Sequence, residues 1–161
     1  MLRKNRAKDD LHIKERRKSV RAKVKDGEGA SIEDFEMLKL LGKGAFAKVW
    51  KARHKHSGKI YAIKALDKAK LIEQELIDHI NLERKIMGML GEHPYIIDLH
   101  FAFQSEETLF LVIDYLPRGS LWDLLSQQEH PFAESVAKFY GAQILLALEA
   151  LHSFNFVYRY Y

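Results

Sequence analysis

The stretch that decides the fold is a glycine-rich segment between two apolar runs, Leu41-Gly42-Lys43-Gly44-Ala45-Phe46-Ala47-Lys48-Val49. A second stretch, Tyr61-Ala62-Ile63-Lys64, follows after one more turn. Glycines lack a Cβ, so a loop between two strands can bring its backbone N–H groups close to a polyphosphate. Lys64, on the next predicted strand, is placed to add a positive charge to the same phosphates. Taken alone, such a segment is more often an ordinary hairpin, and a phosphate-binding hairpin is the alternative.

Two other glycine-rich phosphate motifs do not fit this sequence. A dinucleotide-binding fingerprint needs a helix directly after the glycines, whereas Lys48-Val49-Trp50-Lys51-Ala52 is typical of a strand. The loop G-x-x-x-x-G-K-[ST] is absent from the sequence. The remaining order is a strand, a glycine loop, a second strand and a third strand that carries Ala-Ile-Lys. These three strands are predicted to form an antiparallel meander.

The composition is that of a globular protein, since 47% of the 161 residues are hydrophobic and 30% are charged. The sequence contains no cysteine, which excludes disulfides and a thiolate nucleophile. No apolar run approaches the length of a membrane span, and the N-terminus lacks the apolar core of a signal peptide. We therefore expect a cytoplasmic protein, with the nucleus as the alternative compartment.

The net charge of +4 is unevenly distributed along the chain. Residues 1–30 contain eleven Lys and Arg against five Asp and Glu, a net charge of +6, and residues 31–161 carry −2. We expect residues 1–30 to be a basic, mobile leader that aids solubility. Contact with nucleic acid or an anionic membrane surface is the less favoured alternative. Within the leader, Arg16-Arg17-Lys18-Ser19-Val20 predicts a target site for a kinase that prefers basic substrates.

Helical periodicity over Ile72–Leu90 predicts a helix with one apolar stripe. Glu83 is the only charged residue in this stripe. A carboxylate in an apolar stripe is unfavourable unless it is paired, and Lys64 on the covered sheet is the obvious partner. The alternative, a Glu83 in water at the rim of the stripe, is equally compatible with the spacing. Two further strands are predicted over residues 95–103 and 108–115.

After a break at residues 116–120, the pattern predicts a short helix over Leu121–Gln127 and a long helix over Ala133–Phe154. Apolar residues cover more than half of the long helix, so it should be buried on several sides. Because few residues follow it, we expect that its second core is missing or that a partner protein covers residues 133–154. The eight histidines form no ligand set, so no structural metal is predicted.

From about Phe35 to Arg159 the chain resembles a eukaryotic protein kinase domain of the AGC serine/threonine group. The resemblance is carried by short motifs in the family's order: Asp34-Phe35, Gly42-x-Gly44-x-x-Ala47-x-Val49, Tyr61-Ala62-Ile63-Lys64, His79-x-x-x-Glu83-Arg84, His93-Pro94-Tyr95-Ile96-Ile97, Phe101-x-Phe103-Gln104 and Tyr158-Arg159. It implies an α+β fold, with a kinase N-lobe of five antiparallel strands plus helix C over residues 31–116. The first helices of an incomplete C-lobe would then occupy residues 117–161.

The resemblance also implies a role for individual residues. The ATP-binding loop would comprise Leu41, Gly42, Lys43, Gly44, Ala45, Phe46, Ala47, Lys48 and Val49. Lys64 would hold the α- and β-phosphates and pair with Glu83 as the catalytic ion pair. Val49 and Ala62 would cover adenine, Ile113 would be the gatekeeper, and the hinge would comprise Asp114, Tyr115 and Leu116. His79 would meet the phosphate of an activation loop.

The sequence departs from the family at several positions. Ala47 replaces the third glycine, and Ser120 stands where the family has an acidic residue after the hinge, which Asp123 could replace only if its helix shifts. Tyr160 occupies the position of the catalytic aspartate, and the residues that would hold Mg²⁺ are absent from the sequence. We therefore expect an ATP-binding protein serine/threonine kinase domain, present as a fragment that binds ATP weakly and does not transfer phosphate efficiently. The alternative is a non-catalytic binding or regulatory module derived from a kinase.

Overall fold

The computed structural model of the chain describes residues 30–91 and 93–157. The predicted basic leader, its Ser19 site and the terminal motif that includes Tyr160 lie outside the described residues, apart from Ala30. The described part contains a five-stranded antiparallel sheet with the strand order β1-β2-β3-β5-β4. Its strands are β1 (Phe35–Lys43), β2 (Ala47–His54), β3 (Ile60–Asp67), β4 (Leu99–Gln104) and β5 (Thr108–Asp114).

Four α-helices accompany the sheet in the described part of the chain. Two of them lie between β3 and β4, namely α1 (Lys68–Glu73) and α2 (Ile77–Leu90). The other two follow β5, namely α3 (Leu121–Ser126) and α4 (Glu134–Ser153). The predicted fold class, five antiparallel strands with a covering helix and then further helices, is confirmed.

The two faces of the sheet carry separate apolar clusters, as the alternation of side chains along a strand requires. The face toward α2 holds a helix-side cluster of Leu66, Leu71, Ile80, Met87, Leu99, Ala102 and Leu111. The opposite face holds a second cluster that is rich in aromatic residues: Phe35, Ala52, Tyr61, Ile63, Phe103 and Val112. Strand β3 contributes to both clusters and lies at the centre of the sheet.

The predicted helix over 72–90 is wrong at its start, because the chain forms α1 and α2 there with a tight turn between them. Glu75 has a φ of 54°, in the left-handed region that usually requires glycine. The N–H of Leu76 donates to the carbonyl of Leu71 at 2.9 Å, and the N–H of Glu75 donates to Ile72 at 3.1 Å. This pair of bonds ends α1. With glutamate in place of glycine, the sequence carries no stop signal at this point.

The strand predicted over 95–103 begins later, at Leu99, because the residues before it form a turn. The N–H of Ile96 donates to the carbonyl of His93 at 3.0 Å in this turn. A bulge then interrupts β4, since Leu99 pairs with Ile113 and Phe101 pairs with Val112. The extra residue in the bulge is His100, and its placement affects the site described below.

The long helix α4 lies within one residue of its predicted bounds, with Ala133 and Phe154 as its caps. None of its residues is buried, and Leu145 is 67% exposed. Other large apolar side chains of this helix are exposed as well, namely Val136, Phe139, Ile144 and Leu146. The described residues therefore leave much of this apolar surface uncovered. None of the helices in the described ranges is long and apolar enough to cross a membrane.

The central position of β5 in the core leads to a stability prediction. Leu111→Ala removes a side chain that is fully buried in the helix-side cluster, and it should lower the free energy of unfolding by about 2–5 kcal/mol. Leu38→Ala on β1 is the matched control, because Leu38 is exposed and its truncation should change this free energy by only about 0.5 kcal/mol. Urea unfolding followed by tryptophan fluorescence measures both values. Equal losses in the two variants would contradict this assignment of the core.

Candidate active site

The glycine-rich segment forms the end of β1, a tight turn and the start of β2. Gly42 pairs with Val49, and the N–H of Gly44 donates to the carbonyl of Ala47 at 2.8 Å. A register shift between Leu40 and Gly42 marks an irregularity just before the turn. The prediction of two strands joined by a glycine-rich turn is therefore confirmed.

The space beside the two glycines is open. A Cβ added at Gly42 would meet no heavy atom within 4 Å, and one added at Gly44 would meet only the Ala47 carbonyl oxygen at 3.8 Å. Among the described residues, the glycines with a positive φ are elsewhere, at Gly58 and Gly119. Neither a contact with a neighbouring group nor a left-handed backbone therefore requires glycine at position 42. An open surface with exposed backbone fits the close approach of an external polyphosphate.

The tip of this loop is attached to the start of α1. The N–H of Asp67 donates to the carbonyl of Phe46 at 3.0 Å, and Lys70 Nζ donates to the carbonyl of Ala45 at 3.3 Å. Phe46 and Ala47 also pack against the helix-side cluster. These contacts place the turn over the same face of the sheet that α2 covers.

Lys64 and Glu83 form a bidentate ion pair between β3 and α2. Lys64 Nζ lies 2.7 Å from Glu83 Oε1 and 2.9 Å from Oε2. The side chains are 22% and 39% exposed, so water screens the pair only in part. Ile80 and Met87 lie on either side of Glu83 along α2 and are buried, so the helix is seated firmly on the sheet. Of the two equal alternatives for Glu83, the structure contains the pair with Lys64.

The residues assigned to the adenine end of the site lie on the same face as this ion pair. Val49 is the register partner of Lys64, and Ala62 is the register partner of Ile113. Directly opposed residues of an antiparallel pair project to one side, and residues two apart on a strand share a face. Val49, Ala62, Lys64 and Ile113 therefore form one continuous surface beside the glycine-rich turn.

Asp114 ends β5 where the predicted hinge begins. Its Oδ1 lies 2.7 Å from His100 Nε2, and its Oδ2 accepts the N–H of Asp98 at 3.2 Å. Partial burial by itself would raise the pKa of the Asp114 carboxyl, but the hydrogen bonds from His100 and Asp98 outweigh it and lower the pKa below its ordinary value. Neither His100 nor Asp98 is identifiable as a site residue from the sequence, because the bulge that brings His100 to this edge has no signal in the periodicity.

Asp123 is the residue after the hinge that could replace the family's acidic group. Its side chain forms hydrogen bonds at the start of its own helix. Asp123 Oδ2 accepts hydrogen bonds from the N–H of Ser120 at 2.7 Å and from its hydroxyl at 2.6 Å. Together they form a capping box at the start of α3, and the hydrogen bond from Ser120 lowers the pKa of Asp123. With α3 in this position, Asp123 stabilises the helix end.

Two further predictions concern residues away from this surface. His79 lies exposed on α2, and its contact with the phosphate of an activation loop stays a prediction. Within the ranges 30–91 and 93–157, no group of three or more His, Asp or Glu residues could hold a metal ion. The position of Tyr160 lies outside these ranges.

Comparison with known proteins agrees with this architecture. The sequence profile of the protein kinase domain matches residues 35–160. Protein kinase 3 of Dictyostelium discoideum is 44% identical over 129 residues, which are 80% of this chain and 14% of that protein. Serine/threonine-protein kinase sgk-1 of Caenorhabditis elegans is 40% identical over 130 residues, or 81% of this chain and 28% of that protein. A RAC family serine/threonine-protein kinase homolog of Dictyostelium discoideum is 39% identical over 135 residues, or 84% and 30%.

The chain belongs to the protein kinase family. Its similarity to serine/threonine kinases of the Sgk and RAC types confirms the predicted AGC group. The chain spans 30% or less of the length of these three relatives. Members of the family use ATP and Mg²⁺ in general.

The lowered pKa of Asp114 leads to a prediction for the pH dependence of stability. A depressed pKa in the folded state stabilises the fold above the unfolded-state value of about 3.9, and this contribution is lost as the pH falls through the folded-state value. Asp114→Asn should therefore lower stability at pH 6 by up to about 1 kcal/mol, because the side chain is 40% exposed and partly screened.

The difference between wild type and Asp114→Asn should begin to shrink below about pH 4, where the carboxyl of the unfolded chain takes up a proton, and it should vanish only below the lower pKa of the folded state. Urea unfolding at a series of pH values measures it. Glu106→Gln, in the turn between β4 and β5, is a control for loss of an exposed carboxylate. If the difference in unfolding free energy between wild type and Asp114→Asn grew as the pH fell, it would contradict the lowered pKa of Asp114.

Proposed function

We propose that this chain forms the ATP-binding part of a protein serine/threonine kinase, which transfers the γ-phosphoryl group of ATP to hydroxyl groups of proteins. The observation that carries the proposal is the ion pair of Lys64 with Glu83 next to the open glycine-rich turn. A lysine held by a carboxylate on a packed helix has a defined position, so its charge can be directed at a phosphate.

In this proposal each part of the surface acts on a different part of the nucleotide. Backbone N–H groups of the loop 41–49 cover the phosphates, and Lys64 neutralises the α- and β-phosphates while Glu83 orients it. Val49 and Ala62 pack on the adenine ring, and Ile113 limits the depth of its pocket. The backbone of Asp114 and Leu116 in the hinge hydrogen-bonds the edge of adenine.

The groups that complete the reaction in this family are not among the described residues. In the family, Mg²⁺ would be held by carboxylate and amide side chains and would neutralise the charge of the phosphates. The described residues contain no carboxylate cluster for it, and the sequence has Tyr160 at the position of the catalytic aspartate. We therefore propose that these residues bind ATP weakly and do not by themselves transfer phosphate efficiently. Without a positioned aspartate the substrate hydroxyl lacks its proton acceptor.

The organisation of the chain and its surroundings follow from the same proposal. Residues 1–30 would be the basic leader, 31–116 the N-lobe and 117–161 the first part of the C-lobe. Protein substrates are the expected partners, and further C-lobe segments or a partner protein would cover the apolar residues within 133–154. The proposed compartment is the cytoplasm, with the nucleus as the alternative. A non-catalytic kinase-derived module is not favoured, because the similar proteins are serine/threonine kinases.

Replacement of Lys64 tests the phosphate end of the site. Lys64→Met removes the charge and should weaken ATP binding by about tenfold or more, since a hydrogen bond to a charged group contributes roughly 1.5–3 kcal/mol. Isothermal titration of the full chain with ATP measures the affinity. Lys138→Met is the matched control, because Lys138 also pairs with a carboxylate, Glu134 at 2.6 Å, but on α4. Equal ATP affinity of wild type and Lys64→Met would refute the site.

Replacement of Gly42 separates binding from folding. Gly42→Ala introduces a methyl group into open space, so it should leave the free energy of unfolding unchanged or raise it by about 0.4–1 kcal/mol. The same methyl group should weaken ATP binding, because it occupies the space in which phosphate oxygens approach the backbone.

Gly141→Ala on α4 is the matched control for Gly42→Ala, because a Cβ there also meets no heavy atom within 4 Å. It should stabilise the helix and leave ATP affinity unchanged. Titration with ATP and urea unfolding measure both quantities for each variant. An unchanged ATP affinity in Gly42→Ala would exclude close contact of phosphate with this glycine.

A further inference from the structure

Three contacts join the start of the hinge to β4 and to the residue that precedes it, Asp98. His100 Nε2 lies 2.7 Å from Asp114 Oδ1, and the N–H of Asp98 donates to Asp114 Oδ2 at 3.2 Å. In the opposite direction, the N–H of Asp114 donates to the carbonyl of Asp98 at 3.3 Å. Asp114 is therefore held through its side chain and its backbone, at the last position of β5 before Tyr115 and Leu116.

The bulge in β4 is what allows the side-chain contact. Leu99 and Ala102 both belong to the helix-side cluster although they are three residues apart, which a regular strand does not permit. His100 is the extra residue of the bulge, and its insertion allows Leu99 and Ala102 to face the same side of the sheet. It thus reaches the carboxylate of Asp114 at the end of the neighbouring strand. Bulges of this kind redirect side chains next to functional sites.

The His100 ring is fixed from a second direction. It packs on the ring of Tyr61 with centroids 4.9 Å apart, and Tyr61 is the register partner of Asp114 on β3. Lys59 Nζ lies 5.1 Å from the centroid of the Tyr61 ring, so the ring that His100 contacts also has a cation beside it. The His100 side chain is only 20% exposed. It is thus held between β3 and the end of β5 in one orientation.

We propose that His100 is a positioning residue for the adenine-binding hinge, acting through its hydrogen bond to Asp114. The hinge can hydrogen-bond a base only if the backbone that follows β5 has a defined course. Asp114 sets the start of that course, and His100 and Asp98 hold Asp114 from outside the strand. The inference rests on the proposed nucleotide site and adds a specific residue to it.

The test separates recognition of adenine from recognition of phosphate. The full chain is titrated with ATP, with adenosine and with inorganic tripolyphosphate. His100→Ala should weaken ATP and adenosine binding by about five- to tenfold, the effect of one well-placed hydrogen bond, and should leave tripolyphosphate binding unchanged. General destabilisation of the sheet would weaken all three ligands alike, and that result would overturn the proposal.

Further variants distinguish the hydrogen bond from the packing of the ring. His100→Phe keeps a ring against Tyr61 and removes the donor, so it should behave like His100→Ala even where the alanine variant folds poorly. His100→Gln restores an N–H donor and should recover part of the ATP affinity. His56→Ala, in the turn between β2 and β3, is the control for loss of an exposed imidazole and should bind all three ligands as wild type does.

Hydrogen exchange gives a readout that does not depend on any nucleotide. The amides of Tyr115 and Leu116 should exchange faster in His100→Phe than in wild type, whereas amides in the centre of β3 should not change. Unchanged exchange at the hinge would overturn the positioning role. If wild type binds ATP but His100→Phe binds it equally well, this inference fails and the proposed function stands. If wild type binds neither ATP nor tripolyphosphate, the proposed function itself fails.

Discussion

The apolar contact between α2 and the sheet is the constraint on which the candidate site depends. Ile80 and Met87 bury one stripe of the helix in the helix-side cluster, and Leu90 on the same helix is buried as well. Glu83 lies within this stripe, so seating the helix brings its carboxylate to Lys64 Nζ. Burial of the apolar groups favours the packed helix, and the ion pair offsets part of the penalty of a partly buried carboxylate. The Lys64–Glu83 ion pair therefore depends on the packing of α2 against the sheet.

A similar principle operates at the hinge end of the site. His100, Asp98 and Asp114 are polar groups at the edge of the sheet, and each finds a partner in another of the three. The described residues contain no buried side-chain nitrogen or oxygen without a hydrogen-bond partner. Both ends of the proposed nucleotide site thus rest on polar contacts that the apolar core aligns. The glycine-rich turn, which lies beyond Lys64 on the side away from the hinge, is left open.

Features that depend on local patterns in the chain could be predicted from the sequence, and features that depend on contacts between distant residues could not. The strands around the glycine loop and the long helix came from alternation and periodicity, which are local properties of the chain. The split between α1 and α2 was missed, because Glu75 adopts a left-handed conformation that sequence signals assign to glycine. The late start of β4 was missed because the residues before Leu99 form a turn. The contact of His100 with Asp114 was missed because a bulge changes the register without changing the composition.

The sequence by itself determined the class of fold, the glycine-rich turn and the candidate residues Lys64 and Glu83, because these follow from local patterns and motif order. It left open whether Glu83 meets Lys64 or water. Only the tertiary structure decided this, because the distance between two side chains on different elements depends on how the helix packs on the sheet. The contact of His100 with Asp114 was decided in the same way, by strand register and a single inserted residue.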